Sequence, residues 1–133
     1  MSVELFYLGM YALVVIATSL AQQLTSIFNV GLWTLLGSRE GVEFTGITSR
    51  LEKALGNSAI AMALFAPAVI ILHVTQSGNA QTALAAQIFV TARIIYSVSY
   101  AFKILGLRSA CYVAGLVSTL VLYGVGLSTP FDG

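Results

Sequence analysis

Charged side chains are scarce in this chain. Only 8% of its 133 residues are Asp, Glu, Lys or Arg, whereas 58% are hydrophobic and the mean hydropathy is +0.92. Soluble globular domains carry about 25% charged residues, and a domain of this size cannot cover its surface with so few. The composition therefore excludes an ordinary soluble domain and predicts an integral membrane protein.

The chain also has only one cysteine and one histidine, and its net charge is small. The one cysteine, Cys111, excludes an intrachain disulfide, and with the one histidine, His73, it provides no ligand set for a metal. A net charge of +1 gives no basis for nucleic-acid binding. We interpret Cys111 as a small buried side chain and His73 as an interfacial residue.

The amino-terminal segment has Glu4 as its only charge and lacks the basic region of a signal peptide, so we expect the first apolar run to be retained.

Four apolar runs are each near or above the ~20 residues that a membrane-spanning helix needs. They extend over 5–36, 51–74, 82–105 and 109–127. The link between the first two has mixed charge and several glycines, while the other links are short. We predict an all-α membrane protein in which residues 1–133 form a single four-helix transmembrane bundle.

All of the Lys and Arg residues except Arg93 fall on one side of this predicted bundle. With four spans, the first and third links lie on the same side of the membrane. The cations at that side are Arg39, Arg50, Lys53, Lys103 and Arg108, and the other side has no Lys or Arg. Cytoplasmic loops of membrane proteins are enriched in Lys and Arg. We therefore predict cytoplasmic charged links and both termini on the outer side.

Arg93 lies inside the third apolar run. A guanidinium at membrane depth costs roughly 2.5–3.5 kcal/mol on insertion scales, and it is tolerated where it faces the bundle interior or a polar cavity. We therefore take Arg93 as a candidate functional residue.

Polar side chains on three neighbouring runs repeat at helical spacing, three, four or seven residues apart. Guanidinium groups bind carboxylates through paired hydrogen bonds, and hydroxyl groups can donate to a carboxylate or a thiolate. The pattern favours a site for a small anionic ligand such as glutathione, with a hydrophobic second substrate arriving from the lipid. The residues are Arg50, Lys53 and Asn57 on the second run, Arg93, Tyr96 and Tyr100 on the third, and Arg108, Ser109 and Tyr112 on the fourth.

Structural roles explain several of these residues as well. Long cations near helix ends, such as Arg39 and Arg108, can reach lipid phosphates. The tyrosines can pack at an interface, and Asn57 can bridge two helices. Arg93 is the hardest to explain in this way, although a carboxylate such as Glu52 on a neighbouring helix is an alternative partner for it.

At these residues the chain resembles the MAPEG family, the membrane-associated proteins in eicosanoid and glutathione metabolism, and in particular its bacterial branch. The family's second helix carries an Arg-x-x-Arg-Ala-x-x-Asn-x-x-Glu pattern, its third helix an Arg followed seven residues later by Tyr, and its fourth helix opens with Arg-Ser and a nearby Tyr. The corresponding residues here are Arg50-Leu-Glu-Lys53-Ala54-Leu-Gly-Asn57, then Arg93 and Tyr100, then Arg108-Ser109 and Tyr112.

This resemblance implies a homotrimer of four-helix protomers with glutathione bound between protomers towards the cytoplasm. With the charge distribution described above, it leads us to expect a bacterial inner-membrane protein with periplasmic termini. In catalytic members a Tyr or Arg stabilises the glutathione thiolate, which attacks an electrophilic lipid or reduces a peroxide. The implied catalytic residues are Arg93, Tyr100, Arg108 and Ser109. The implied glutathione contacts are Arg39, Arg50, Lys53, Asn57, Arg93, Tyr96, Tyr100, Arg108 and Tyr112.

Two positions favour a different function. Ile60 stands where the family pattern has Glu, and Gly56 stands where it has a basic residue. The chain can therefore be a catalytically inactive accessory or structural subunit of a larger membrane complex. A small transporter or channel is a third possibility, and the placement of the ionisable residues towards one side argues against it.

Overall fold

The computed structural model describes residues 1–37 and 43–130, which form helices joined by short links. The helices are α1 (Val3–Val30), α2 (Leu32–Leu36), α3 (Gly46–Thr75), α4 (Ala80–Ala101) and α5 (Leu105–Leu127). All except α2 are long and apolar enough to cross a membrane. The predicted all-α, four-helix membrane bundle is thereby confirmed.

The first membrane helix is shorter than the predicted run of 5–36. Gly31 has a φ of 89°, a backbone conformation that glycine adopts without the steric cost of a Cβ atom. Its N–H still bonds the carbonyl of Ile27 at 3.0 Å, which closes α1. The chain then resumes as the short helix α2.

Helix α3 begins at Gly46, before the predicted start at 51, because Asn29 ties its first residues to the end of α1. The side-chain amide of Asn29 donates to the Thr45 hydroxyl at 3.0 Å, and the Thr45 N–H donates to the Asn29 side-chain oxygen at 3.2 Å. These paired bonds hold the end of α1 beside the start of α3.

Helices α4 and α5 also begin before their predicted starts at 82 and 109. Asn79 and Thr82 form a reciprocal capping box, with the Thr82 N–H donating to Asn79 at 3.0 Å and the Asn79 N–H donating to the Thr82 hydroxyl at 2.8 Å. Helix α4 ends at Ala101 instead of 105, and Lys103 has a φ of 62°. The chain reverses over 102–104, so Gly106 and Leu107 belong to α5.

An aromatic group at the centre of the bundle joins three membrane helices. Tyr11 of α1, Phe65 of α3 and Phe89 of α4 are each at most 1% exposed. The Phe65 and Phe89 rings stack with centroids 4.0 Å apart, and the Tyr11 ring meets Phe89 edge-on at 5.0 Å. The Tyr11 hydroxyl donates to the carbonyl of Ser58 at 2.9 Å, which supplies the internal partner that a polar atom needs in the membrane interior.

Helix α5 approaches α3 closely near its carboxyl end. A Cβ atom at Gly126 would lie 2.9 Å from Cγ2 of Ile71, whereas a Cβ atom at Gly124 would have no neighbour within 4 Å. Glycine at 126 is therefore required by packing, and glycine at 124 is not.

We predict that Gly126→Ala lowers the free energy of unfolding by about 1–3 kcal/mol relative to Gly124→Ala, because the added methyl group overpacks the contact with Ile71. Both variants make the same chemical change in the same helix, so helix propensity cancels in the comparison. Denaturant unfolding in detergent, followed by circular dichroism, measures the difference. Equal stability of the two variants would contradict the close approach of α5 to α3.

Candidate functional site

Arg93 is buried inside the bundle. Its side chain is 2% exposed, and it lies about 12 Å from the carboxyl end of α4 at the helical rise of 1.5 Å per residue. One terminal nitrogen donates a long hydrogen bond of 3.4 Å to the Ser58 hydroxyl. The guanidinium carbon lies 4.2 Å from the centroid of the Tyr96 ring, a cation–π geometry. The buried Nε atom has no hydrogen-bond partner in the described residues.

No carboxylate neutralises this charge within residues 1–37 and 43–130. The alternative partner considered from the sequence, Glu52, is exposed and forms no ion pair with Arg93. A buried charge without a counterion is costly in a low-dielectric interior. Arg93 therefore has both the positive charge and a free donor to offer an anion.

Two arginines, three tyrosines and a serine of α4 and α5 lie side by side, since the short link at 102–104 makes the two helices antiparallel neighbours. The Tyr96 ring centroid is 5.8 Å from that of Tyr100 and 6.3 Å from that of Tyr112. The Arg108 guanidinium carbon lies 4.7 Å from the Tyr100 ring centroid. We call this set the Arg93 cluster; its members are Arg93, Tyr96, Tyr100, Arg108, Ser109 and Tyr112.

Two spaces border the Arg93 cluster. The Arg93 cleft, between α3 and α5, is lined among others by Asn57, Ile60 and Gly115, and its volume of ≈ 30 Å³ is enough for one or two waters. The Arg108 groove, of ≈ 260 Å³, is lined by Tyr96, Arg108, Ser109, Tyr112 and Val113. Tyr112 lines both spaces.

Two of the residues predicted as ligand contacts, Arg50 and Lys53, form no hydrogen bond or ring contact with the cluster. Nε of Arg50 donates to the carbonyl of Ala101 at 2.8 Å, where it satisfies one of the carbonyls left free at the end of α4. Lys53 is exposed and contacts no member of the cluster. Arg39 lies outside the described residues. Of the predicted residues on α3, Asn57 alone lines the Arg93 cleft.

Ser58 was missed by the reasoning from sequence. Its hydroxyl accepts from Arg93 and its carbonyl accepts from Tyr11, so it connects α4 and α1 through α3. Ser58 follows Asn57 directly and therefore points about 100° away from it around the helix. The spacing of Arg50, Lys53 and Asn57 selects a different face of α3, and no pattern in the sequence marks Ser58.

The chemistry of the Arg93 cluster is that of anion binding. Guanidinium and hydroxyl groups donate to carboxylates and stabilise thiolates. In the described parts of the chain, no three His, Cys, Asp or Glu side chains come together as a metal site.

A protein-family model matches these same helices and residues. The model of the MAPEG family matches residues 5–128. The chain belongs to the MAPEG family. The match covers the four membrane helices of this MAPEG protein and the whole Arg93 cluster, and it confirms the resemblance at the level of the family. No curated protein and no solved structure matches the chain significantly.

We predict that Arg93→Met leaves the free energy of unfolding of this MAPEG protein unchanged or raises it, because an uncompensated buried charge is replaced by an apolar side chain. Arg50→Met makes the same change in charge and is the matched comparison. It should lower the stability by about 1 kcal/mol or more, because the Ala101 carbonyl loses its charged donor. Thermal unfolding in detergent measures both, and a larger loss for Arg93→Met would show that Arg93 is a structural residue.

Proposed function

We propose that this protein binds glutathione at the Arg93 cluster and uses it to conjugate hydrophobic electrophiles or to reduce lipid peroxides. The observation that carries the proposal is the state of Arg93: a guanidinium 2% exposed, with a free Nε donor and no carboxylate partner in the described residues. Glutathione has two carboxylates and a thiol, which suit a set of guanidinium and hydroxyl donors. Membership of the MAPEG family supports the same ligand.

Each group of the cluster has a role in this proposal. Arg93 and Asn57, which both line the Arg93 cleft, bind a carboxylate. Arg108, Ser109 and Tyr112 in the adjoining groove donate to the sulfur and favour the thiolate over the thiol. Bound glutathione supplies the nucleophilic sulfur for the reaction.

Tyr100 positions Arg108 in this arrangement. Its ring lies under the Arg108 guanidinium at 4.7 Å, which restrains a long and otherwise flexible side chain. The guanidinium is thereby held at the mouth of the groove. The apolar outer faces of the helices give a hydrophobic second substrate access from the membrane.

A neighbouring protomer completes the site in this proposal. The Arg93 cleft is too small for a tripeptide, and the Arg108 groove, at ≈ 260 Å³, falls below the ≈ 300–1,000 Å³ of typical small-molecule pockets. A homotrimer in which the next protomer covers the groove would supply the missing wall. Glutathione would then lie between protomers.

Calorimetric titration with glutathione tests the proposal. We predict that the wild-type protein binds glutathione and that Arg93→Ala and Arg108→Ala each weaken binding about tenfold or more, since each removes a charge-assisted hydrogen bond. Lys103→Gln is the control, because it removes an exposed cation at the same end of the bundle, and it should change the affinity by less than about twofold. Absence of binding at millimolar glutathione, or unchanged binding by Arg93→Ala, would contradict the proposal.

We also propose that the protein lies in a bacterial inner membrane with the charged links in the cytoplasm and both termini in the periplasm. The charge distribution supports this orientation. Arg50, Lys53, Lys103 and Arg108 all lie at the end of the bundle where α4 ends and α5 begins. Lys and Arg residues favour the cytoplasmic side.

Cysteine labelling in spheroplasts checks the orientation. Gln81→Cys, at the start of α4, should react with a membrane-impermeant maleimide added outside, and Glu43→Cys, before α3, should react only after lysis. Both positions are exposed, while the native Cys111 is buried and gives little background. Labelling in the reverse pattern would invert the proposed topology.

Ile60 favours a second candidate function, a catalytically inactive accessory subunit. Its side chain is 65% exposed and lines the Arg93 cleft, at the position where the family pattern has Glu. The cleft therefore lacks an acceptor there for the amino group of glutathione. A stoichiometric partner of different mass in native mass spectrometry, together with the absence of glutathione binding, would favour this function over the first.

A further inference from the structure

A second polar pocket lies at the opposite end of the bundle from Arg50 and Arg108. It has a volume of ≈ 540 Å³ and is formed by the start of α1, the end of α3 and the start of α4. Its polar lining includes Glu4, His73, Gln76 and Asn79. None of these residues belongs to the Arg93 cluster.

Glu4 is the buried charge of this pocket. Its side chain is 6% exposed and lies against the backbone of Gly78, where an added Cβ atom would be 3.0 Å from Oε1. The Thr82 hydroxyl donates to Oε1 at 2.5 Å. The carboxylate thereby ties the first turn of α1 to the start of α4.

The contacts inside the protein satisfy this carboxylate only in part. The Thr82 hydroxyl has one proton, and its oxygen also lies 2.9 Å from the Asn79 carbonyl, which competes for that proton. The second oxygen, Oε2, accepts no hydrogen bond from any described residue. Oε2 is thus available to a donor that enters the pocket.

Glu4 forms no ion pair with any cation among the described residues, the Met1 amino group included. The Lys and Arg residues in residues 1–37 and 43–130 lie at the other end of the bundle or, in the case of Arg93, within the Arg93 cluster. No ion pair involves Glu4. His73 lines the pocket without a hydrogen bond to the carboxylate. The carboxylate is therefore open to a cationic ligand that enters the pocket.

We propose that this pocket binds a phospholipid headgroup through its primary ammonium group, which pairs with Glu4. The pocket lies at the end of the membrane helices, at the level of the lipid headgroups. An ammonium group carries three N–H donors, enough to serve Oε2 and to share Oε1. A trimethylated choline group has no N–H donor and cannot replace it.

The rest of the lining suits the remainder of such a lipid. The side-chain oxygen of Asn79 accepts from the Thr82 N–H at 3.0 Å, so its amide N–H groups remain as donors for a phosphate, as do those of Gln76. Val3 and Leu72 line the same pocket and provide apolar surface for the first carbons of the acyl chains. The pocket thus combines an anion, amide donors and an apolar wall.

Native mass spectrometry of the purified protein tests the proposal with phosphatidylethanolamine and phosphatidylcholine of identical acyl chains. We expect the wild-type protein to retain the ethanolamine lipid about tenfold better, as loss of a charge-assisted hydrogen bond implies. Glu4→Gln keeps an acceptor for Thr82 and removes the charge, so the preference should fall to about twofold or less. Glu52→Gln, the same change at an exposed position, should keep it.

A second variant covers the case in which Glu4→Gln does not fold. Gly78→Ala leaves the charge in place and displaces the carboxylate through the 3.0 Å contact, so the lipid preference should also fall. Competition by free ethanolamine would show that the ammonium group alone is enough, and lack of competition with the preference intact would assign the site to the lipid. Equal retention of both lipids by the wild type, or an unchanged preference in Glu4→Gln, would overturn the proposal.

Discussion

Three helices meet around the buried charge of Arg93, and they satisfy its guanidinium only in part. In the membrane interior the N–H groups of a guanidinium need acceptors within the protein. The Arg93 guanidinium donates to the Ser58 hydroxyl of α3 and lies over the Tyr96 ring of its own helix. The Ser58 carbonyl in turn accepts from Tyr11 of α1. These polar contacts lie close along the helices to the aromatic group of Tyr11, Phe65 and Phe89. Hydrogen bonds and aromatic packing therefore join the same three helices.

The two ends of the bundle differ in charge, and each is tied together by a different kind of contact. At one end Arg50 donates to the carbonyl of Ala101, and Asn29 joins α1 to the start of α3. At the other end Glu4 joins α1 to Thr82 of α4. The cationic end holds the groups suited to an anionic ligand, and the other end holds the Glu4 carboxylate, which forms no ion pair with any described residue.

Arg50 and Arg93 show that residue type and spacing do not separate a structural arginine from a functional one. Both were predicted to contact the same ligand. Arg50 uses its Nε donor on a helix-terminal carbonyl, whereas the Nε atom of Arg93 has no partner in the described residues. The difference arises because the end of a helix exposes free carbonyls, whereas the backbone around Arg93 is already hydrogen-bonded within α4. The apolar side chain of Ile60, which lines the same cleft as Arg93, offers the guanidinium no hydrogen-bond acceptor.

The amino-acid sequence by itself determined that this is a membrane protein of four apolar helices, because span length and the lack of charge are properties of composition and order alone. It also placed Arg93, Tyr96 and Tyr100 on one helical face and indicated the MAPEG family, since both depend on local spacing. The break at Gly31, the starts of α3, α4 and α5, and the separation of Arg50 from the Arg93 cluster were decided by the tertiary structure. The same holds for Ser58 beside Arg93 and for the burial of Glu4 against Gly78. Each of these depends on contacts between residues far apart in the chain, and no periodicity within one helix specifies which side chain of another helix it meets.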